Sequence, residues 1–401
     1  MIMTKDSSIA TPLSEAFIKG AVEIESTPAG LLPHRLPQWA RAQGADGQLL
    51  MAESQPSGVR LVFRTAATII ELDTLPTKRA YVGLPPRPDG VYDLVIDGKL
   101  ERQASVSGGK VLRIDPARGS ANLEPGEPGT ARFAGLPARD KIVEIWLPHD
   151  ETTELVGLRT DAPVEVGIDR SRPVWLHHGS SISQGSNAAT PTGIWPVVAA
   201  LKANVDLVNL GFGGSALLDS FTARTMAYTP ADLISVKLGI NIVNADLMRL
   251  RAFGPAVHGF LDTIREGHKQ TPLVVISPIH CPIHETVPGP CAFDMAALGE
   301  GRVAFVAQGR PEEVAQGKLT LSVIREQLKA IVAQRAATDP NIHYVDGLAL
   351  YGAADNATMP LPDALHPDGQ THRMMGERFV DLVFSQGVFG AAGGLTGPSG
   401  G

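Results

Sequence analysis

From about residue 170 the chain alternates between short apolar runs and amphipathic segments, and this alternation restricts the fold more than any other feature. Val174–Leu176, Val205–Leu210, Ile234–Leu238, Pro272–Ile276 and Ile342–Val345 read as strands. Helical spacing runs over Trp195–Ala203, Leu247–Glu266 and Leu321–Arg335, and Gly376–Phe384 reads as the closing helix. Strands that are apolar throughout are buried on both faces, and strands that alternate with helices are joined by crossovers. Together they imply a parallel sheet covered on both sides.

Residues 1–165 follow a different rule. Val59–Arg64, Thr68–Leu72, Val91–Ile96, Lys110–Ile114 and Lys141–Leu147 are short strand-like runs, and Asp97-Gly98 is a hairpin-turn dipeptide. Prolines punctuate the loops, and helical periodicity is almost absent. Such spacing implies an antiparallel β-sandwich. The expected organisation is therefore a sandwich over 1–165, an α/β domain over 166–390, and a flexible glycine-rich tail over 391–401. The stretch between Pro278 and Thr320 lacks clear periodicity. Loops that long are usually functional or mobile, and because this one follows a strand, it is expected over the carboxyl edge of the sheet.

Composition narrows the function. The 401 residues are 43% hydrophobic and 19% charged, enough for a sizeable core. The net charge of −7 comes with no basic run, and aromatics make up 5%, so nucleic acid is not an expected partner. No stretch approaches the roughly 18 apolar residues of a membrane span, and the first residues lack an apolar signal core. The expectation is a cytoplasmic protein that acts on small molecules.

Four features could carry chemistry. Val174–Gly185 runs from a strand through Gly179 into a turn containing Ser181, and ligands of open α/β sheets bind at such strand ends. Asp363 lies three residues before His366 in a proline-bounded loop, so a carboxylate could fold back onto the imidazole Nδ1. The bland alternative is a helix-capping loop with a surface histidine. Gly211–Ala216 follows the second strand, and its glycines free backbone N–H groups. It also fits the dinucleotide fingerprint GxGxxA, but that pattern belongs on the first βα unit and is followed here by no convincing ribose-binding acid. Asn241 follows the third strand, either as a side-chain donor or as a turn former.

The four features occur in the order Ser, Gly, Asn, Asp-x-x-His, and in that order the chain resembles the SGNH or GDSL family of serine esterases and acyl hydrolases over about residues 170–385. Gly179-Ser-Ser181 stands where the family carries Gly-Asp-Ser. Gly214 and Asn241 match its second and third blocks, and Asp363 and His366 its last. Two positions depart from the pattern: Ser180 and Ile242 replace aspartates. The resemblance implies a flavodoxin-like five-stranded parallel sheet sandwiched by helices, preceded by a jelly-roll-like sandwich. It also implies a Ser181–His366–Asp363 triad and an oxyanion hole from Ser181, Gly214 and Asn241. A two-domain branch of the family includes bacterial esterases and a polyketide-tailoring acyltransferase. The expected activity is thus carboxylic-ester hydrolysis, with transfer of an acyl group from a donor such as acyl-CoA to a natural-product alcohol as the alternative.

His280, Cys281, His284 and Cys291 are zinc-competent side chains, but their spacing matches no common finger or ribbon. The expectation is free thiols in a lid-like loop, with a labile disulfide as the lesser alternative, and neither metal nor cofactor. His177 and His178 read as pocket-lining or strand-end packing residues.

Overall fold

The computed structural model describes residues 8–43, 46–84, 86–115, 118–166, 172–385 and 387–389. The expected flexible tail, 391–401, lies outside them. The chain forms two compact units. One contains the described residues within 1–35, 53–171 and 190–192; the other contains Leu36–Ala52, Arg172–Ala189 and the described residues from Gly193 onward.

The first unit is a β-sandwich. One sheet has eight strands and the other six. Successive side chains of a strand point to opposite faces, so Leu61 and Phe63, Leu94 and Ile96, Val143 and Ile145, Ile70 and Leu72, and Ala131 and Phe133 converge in one buried core. Asp97 and Gly98, both at positive φ, turn the hairpin between Val91–Ile96 and Lys99–Ser105. Pairing is not wholly antiparallel, because Thr77–Tyr81 runs parallel to Lys110–Ile114. The strand Ile69–Tyr81 is long, and its antiparallel pairing with Gly129–Ala134 ends at Thr74, which leaves its second half for another neighbour. Among the described residues of the first 165 are the α-helices Gln38–Arg41 and Gly47–Ser54, which are too short for periodicity to reveal.

The second unit is the expected parallel sheet. Its strands are β1 (Val174–Gly179), β2 (Asp206–Gly211), β3 (Leu233–Lys237), β4 (Leu273–Ile276) and β5 (Ile342–Val345), in the order β2-β1-β3-β4-β5. Every neighbouring pair is parallel. This is the flavodoxin-like order, whose direction reverses between β1 and β3 and opens a crevice at their carboxyl ends. The covering helices are α1 (Trp195–Ala203), α2 (Ser220–Tyr228), α3 (Leu250–Gly267), α4 (Leu321–Arg335) and α5 (Gly369–Phe379). Alternation along β1 sends Trp175 against Trp195 of α1 and Phe379 of α5, whereas His178 meets Phe260 of α3. The last helix starts at Gly369, seven residues before the expected Gly376, because Asp368 caps it by accepting from the Thr371 N–H at 2.8 Å. Its polar first turn, Gly369-Gln-Thr-His372, hides that start from apolar periodicity. The 278–320 stretch is not featureless: Cys291–Phe293 pairs with Phe305–Ala307 as a hairpin around a short helix, Met295–Gly299.

Candidate active site

β1 ends at Gly179, and a four-residue helix, Ser181–Gln184, begins two residues later. Ser180 is its N-cap, its hydroxyl accepting from the Ile182 N–H at 3.4 Å. The turn is tight against its surroundings. A Cβ at Gly179 would lie 2.3 Å from Ser183 Oγ, and one at Gly211 would lie 2.5 Å from the Gln184 backbone nitrogen. Only glycine lets the ends of β1 and β2 meet the helix this closely. Ser181 consequently stands at the carboxyl edge, 9% exposed.

The loop before α5 brings the imidazole. His366 Nε2 lies 2.9 Å from Ser181 Oγ, and His366 Nδ1 lies 2.8 Å from Asp363 Oδ2. Asp363 Oδ1 accepts from the backbone N–H groups of Leu365 and His366, at 2.9 and 2.7 Å, and Asn187 Nδ2 donates to Oδ2 at 3.0 Å. Burial alone would raise the Asp363 carboxyl. The bond and charge of His366, with the two backbone donors, outweigh it and hold the group below its ordinary value.

The remaining sequence-selected positions, Gly214 and Asn241, follow the second and third strands of the same sheet. Gly214 follows β2 at φ +74°, in the left-handed region that favours glycine. Asn241 is 2% exposed, and its Oδ1 accepts from the Ala216 N–H at 3.1 Å, which turns the amide so that its amino group faces away from that bond. Gly213, next to Gly214, donates its N–H to Gln184 Oε1 at 2.7 Å, and Gln48 Nε2 donates to the Gly213 carbonyl at 2.8 Å. Two glutamines therefore hold the glycine turn.

The histidines of β1 do not join this group. His177 lies between Ser235 Oγ (2.7 Å) and Ser183 Oγ (2.8 Å), and burial lowers its pKa well below the ordinary value. His178 bonds the Leu210 carbonyl at 2.7 Å. Both rings are buried, so they serve as polar packing groups under the sheet edge. Ile242, one of the two departures from the family pattern, is also buried. Both cysteines are free; Cys281 Sγ lies 3.4 Å from the Ala364 carbonyl, and burial raises its thiol to about 12. Among the described residues no group of three or more His, Cys, Asp or Glu side chains is arranged to hold a metal.

Asn187, Gln184, Gln48 and Phe305 were not selected from the sequence. Phe305 meets His366 edge-on, with ring centroids 5.6 Å apart, and its N–H donates to the Asp363 carbonyl at 3.0 Å. The 278–320 stretch thus does reach the carboxyl edge. Only Gln184, one turn from Ser181 on a predicted turn, carried a local signal.

Residues 172–285 match the GDSL-like lipase/acylhydrolase family model, so the chain carries a domain of that kind; the match includes Ser181, Gly214 and Asn241 and ends before Asp363. Among solved structures, the chain is similar to the salicylyl-acyltransferase SsfX3 from a tetracycline biosynthetic pathway, at 27% identity, 94% coverage of this chain and 96% of that one, with a TM-score of 0.75. It shares its fold with a candidate GDSL-like lipase from Bacteroides ovatus (16% identity, 96% and 98% coverage, TM-score 0.68). It also shares its fold with a family two carbohydrate esterase from Clostridium thermocellum (10% identity, 92% and 98% coverage, TM-score 0.58). No curated protein matches in sequence. Among the described residues no helix is long and apolar enough to cross a membrane.

Proposed function

We propose that the protein is a serine carboxylic-ester hydrolase working through an acyl-enzyme on Ser181. The observation that carries this reading is the unbroken chain from Ser181 Oγ through His366 to Asp363, at 2.9 and 2.8 Å, on the crevice edge of the sheet. His366 Nε2 takes the serine proton as Oγ attacks the acyl carbonyl, then returns it to the departing alcohol. Asp363 fixes the imidazole tautomer and stabilises the imidazolium. The Ser181 and Gly214 N–H groups and the Asn241 amino group hold the oxyanion, where each donor is worth ~10²–10³ in turnover. Water then attacks the acyl-enzyme and the cycle repeats.

A second reading keeps the same residues and changes the final nucleophile. The hydroxyl of a natural-product alcohol replaces water, and a thioester such as acyl-CoA supplies the acyl group. The full-length similarity to a salicylyl-acyltransferase favours it. Fluorophosphonate labelling tests the shared premise: the probe is expected on Ser181, and labelling that persists in Ser181→Ala would remove the nucleophile. Partition of the acyl-enzyme between water and a panel of alcohols separates the two readings. Exclusive hydrolysis supports the first.

A further inference from the structure

The helix that carries Ser181 spans only four residues, Ser181–Gln184. Helices this short are marginal on their own, so contacts from outside set where Ser181 Oγ points. Ser183 is held on two sides. Its carbonyl accepts from Asn209 Nδ2 of β2 at 2.9 Å, and its hydroxyl lies 2.8 Å from His177 Nε2 of β1. That hydroxyl takes the space a side chain at Gly179 would need. The His177 ring is in turn tied back into the sheet. Its Nδ1 lies 2.7 Å from Ser235 Oγ of β3, and that oxygen also accepts from Trp175 Nε1 at 2.9 Å. The rings of Trp175 and Trp195 pack against the imidazole, with centroids 5.5 and 4.8 Å away. Trp175, Ser235, His177 and Ser183 thus form a continuous series of hydrogen bonds, and each is 0% exposed. An apolar ring would fill the place of His177 without desolvating an imidazole. Buried polar networks whose members are all paired rigidify a site and select one arrangement of it. Burial, assisted by the charges of His178 and Lys237, lowers the His177 pKa well below its ordinary value. The ring is therefore neutral near pH 7, with one donor and one acceptor nitrogen for the two hydroxyls.

We infer that His177 is a positioning residue for the nucleophile: through Ser183 it fixes the orientation of the Ser181–Gln184 helix and so keeps Ser181 Oγ within reach of His366. This inference rests on the acyl-enzyme reading above. His177 touches no reacting atom and moves no proton; its effect passes through the Ser183 hydroxyl. Ser181 Oγ stands 2.9 Å from His366 Nε2. A displacement of about 1 Å, caused by a change outside the chemistry, costs on the order of 10²-fold in rate.

The test uses the full chain and a fluorophosphonate, read as the second-order rate of labelling at Ser181, with urea unfolding measured alongside. His177→Phe keeps a ring and removes both nitrogens, whereas Ser183→Ala removes only the hydroxyl. Each is expected to slow labelling by about 10- to 100-fold. The double variant should be no slower than the slower single one, because both changes break the same connection. His177→Gln, whose carboxamide extends toward the place of Nε2, should recover much of the rate. The pH midpoint of labelling should be the same in every variant, because His366 remains the base. A histidine that only packs would lower the urea midpoint and leave the labelling rate of the folded protein unchanged. Labelling at the parent rate in His177→Phe or Ser183→Ala, losses that multiply in the double variant, or a shifted pH midpoint overturns the inference and leaves the acyl-enzyme reading standing. If His177→Phe does not fold, Ser183→Ala decides: a slowed rate supports the inference and the parent rate overturns it. If the parent chain is not labelled at Ser181, the acyl-enzyme reading fails and takes this inference with it.

Discussion

Asp363 has both carboxylate oxygens occupied, Oδ1 by two backbone N–H groups and Oδ2 by His366 and Asn187. Its depressed pKa means that it stays ionised as pH falls through the ordinary carboxylate range, so its pairing with His366 persists until pH drops through that lowered value. Asp363→Asn keeps the shape but offers Nδ1 the wrong partner, and turnover of a chromogenic ester is expected to fall by ~10³–10⁴. Asn187→Ala removes one bond to a charged oxygen, worth on the order of 1.5 kcal/mol, and should cost about tenfold. Equal losses in the two variants would show that Asn187 does more than support the carboxylate. The two residues also differ in how they could be read from the chain. Asp363 and His366 lie in one short loop, so spacing brings them together. Asn187 reaches the same oxygen from a turn near Ser181, at positive φ, and nothing in its neighbourhood marks that destination.

Elements show a similar division between what is local and what is not. The parallel strands were legible because burial on both faces makes them apolar throughout, and the order β2-β1-β3-β4-β5 realises the expected flavodoxin-like fold. The start of α5 was not legible, since a polar capping turn lacks hydrophobic period. Nor was the parallel pairing of Ile69–Tyr81, which depends on where a distant strand ends. Glu151 gives one strand a pH dependence. It precedes the strand Thr152–Thr160, is 3% exposed and accepts from the Gly90 N–H at 2.8 Å, while its Oε2 has no partner among the described residues. Burial, opposed by the Gly90 bond and assisted by the charge of Asp150, raises its pKa to about 7. An unfolded chain releases this proton near pH 4.3, so between there and about pH 7 the native state binds more protons, and stability falls as pH rises. Glu151→Gln removes that penalty. Its advantage over the parent in urea unfolding should be absent below about pH 4, grow across the window and level off above pH 7, at an order of magnitude of about 1–3 kcal/mol. An advantage independent of pH would mean that Glu151 is not held neutral.

At the scale of the whole molecule, the division of the chain does not follow its sequence order. Leu36–Ala52 lies amid strand-like sequence, yet it clusters with the parallel-sheet unit. Within that unit Trp39 meets Tyr228 at 6.2 Å, and Gln48 bonds the Gly213 carbonyl in the turn that ends in Gly214. A change in composition near residue 165 cannot reveal such an exchange, because the segment is short and its partners lie far along the chain. The consequence is testable by cutting where composition changes. A chain of residues 166–401 keeps Ser181, Asp363 and His366 but loses Gln48, so one of the two glutamines that hold the glycine turn is gone. It is expected to react with a fluorophosphonate at least about tenfold more slowly than the full chain, in line with weakening the proposed oxyanion donor at Gly214. Placing Leu36–Ala52 ahead of residue 172 through a flexible linker should restore much of the rate, whereas a scrambled segment should not. In the intact protein, Gln48→Ala should lower kcat more than it raises KM, since a donor poised for the oxyanion acts mainly in the transition state. Full reactivity in the 166–401 chain would show that Gln184 alone suffices to hold the turn.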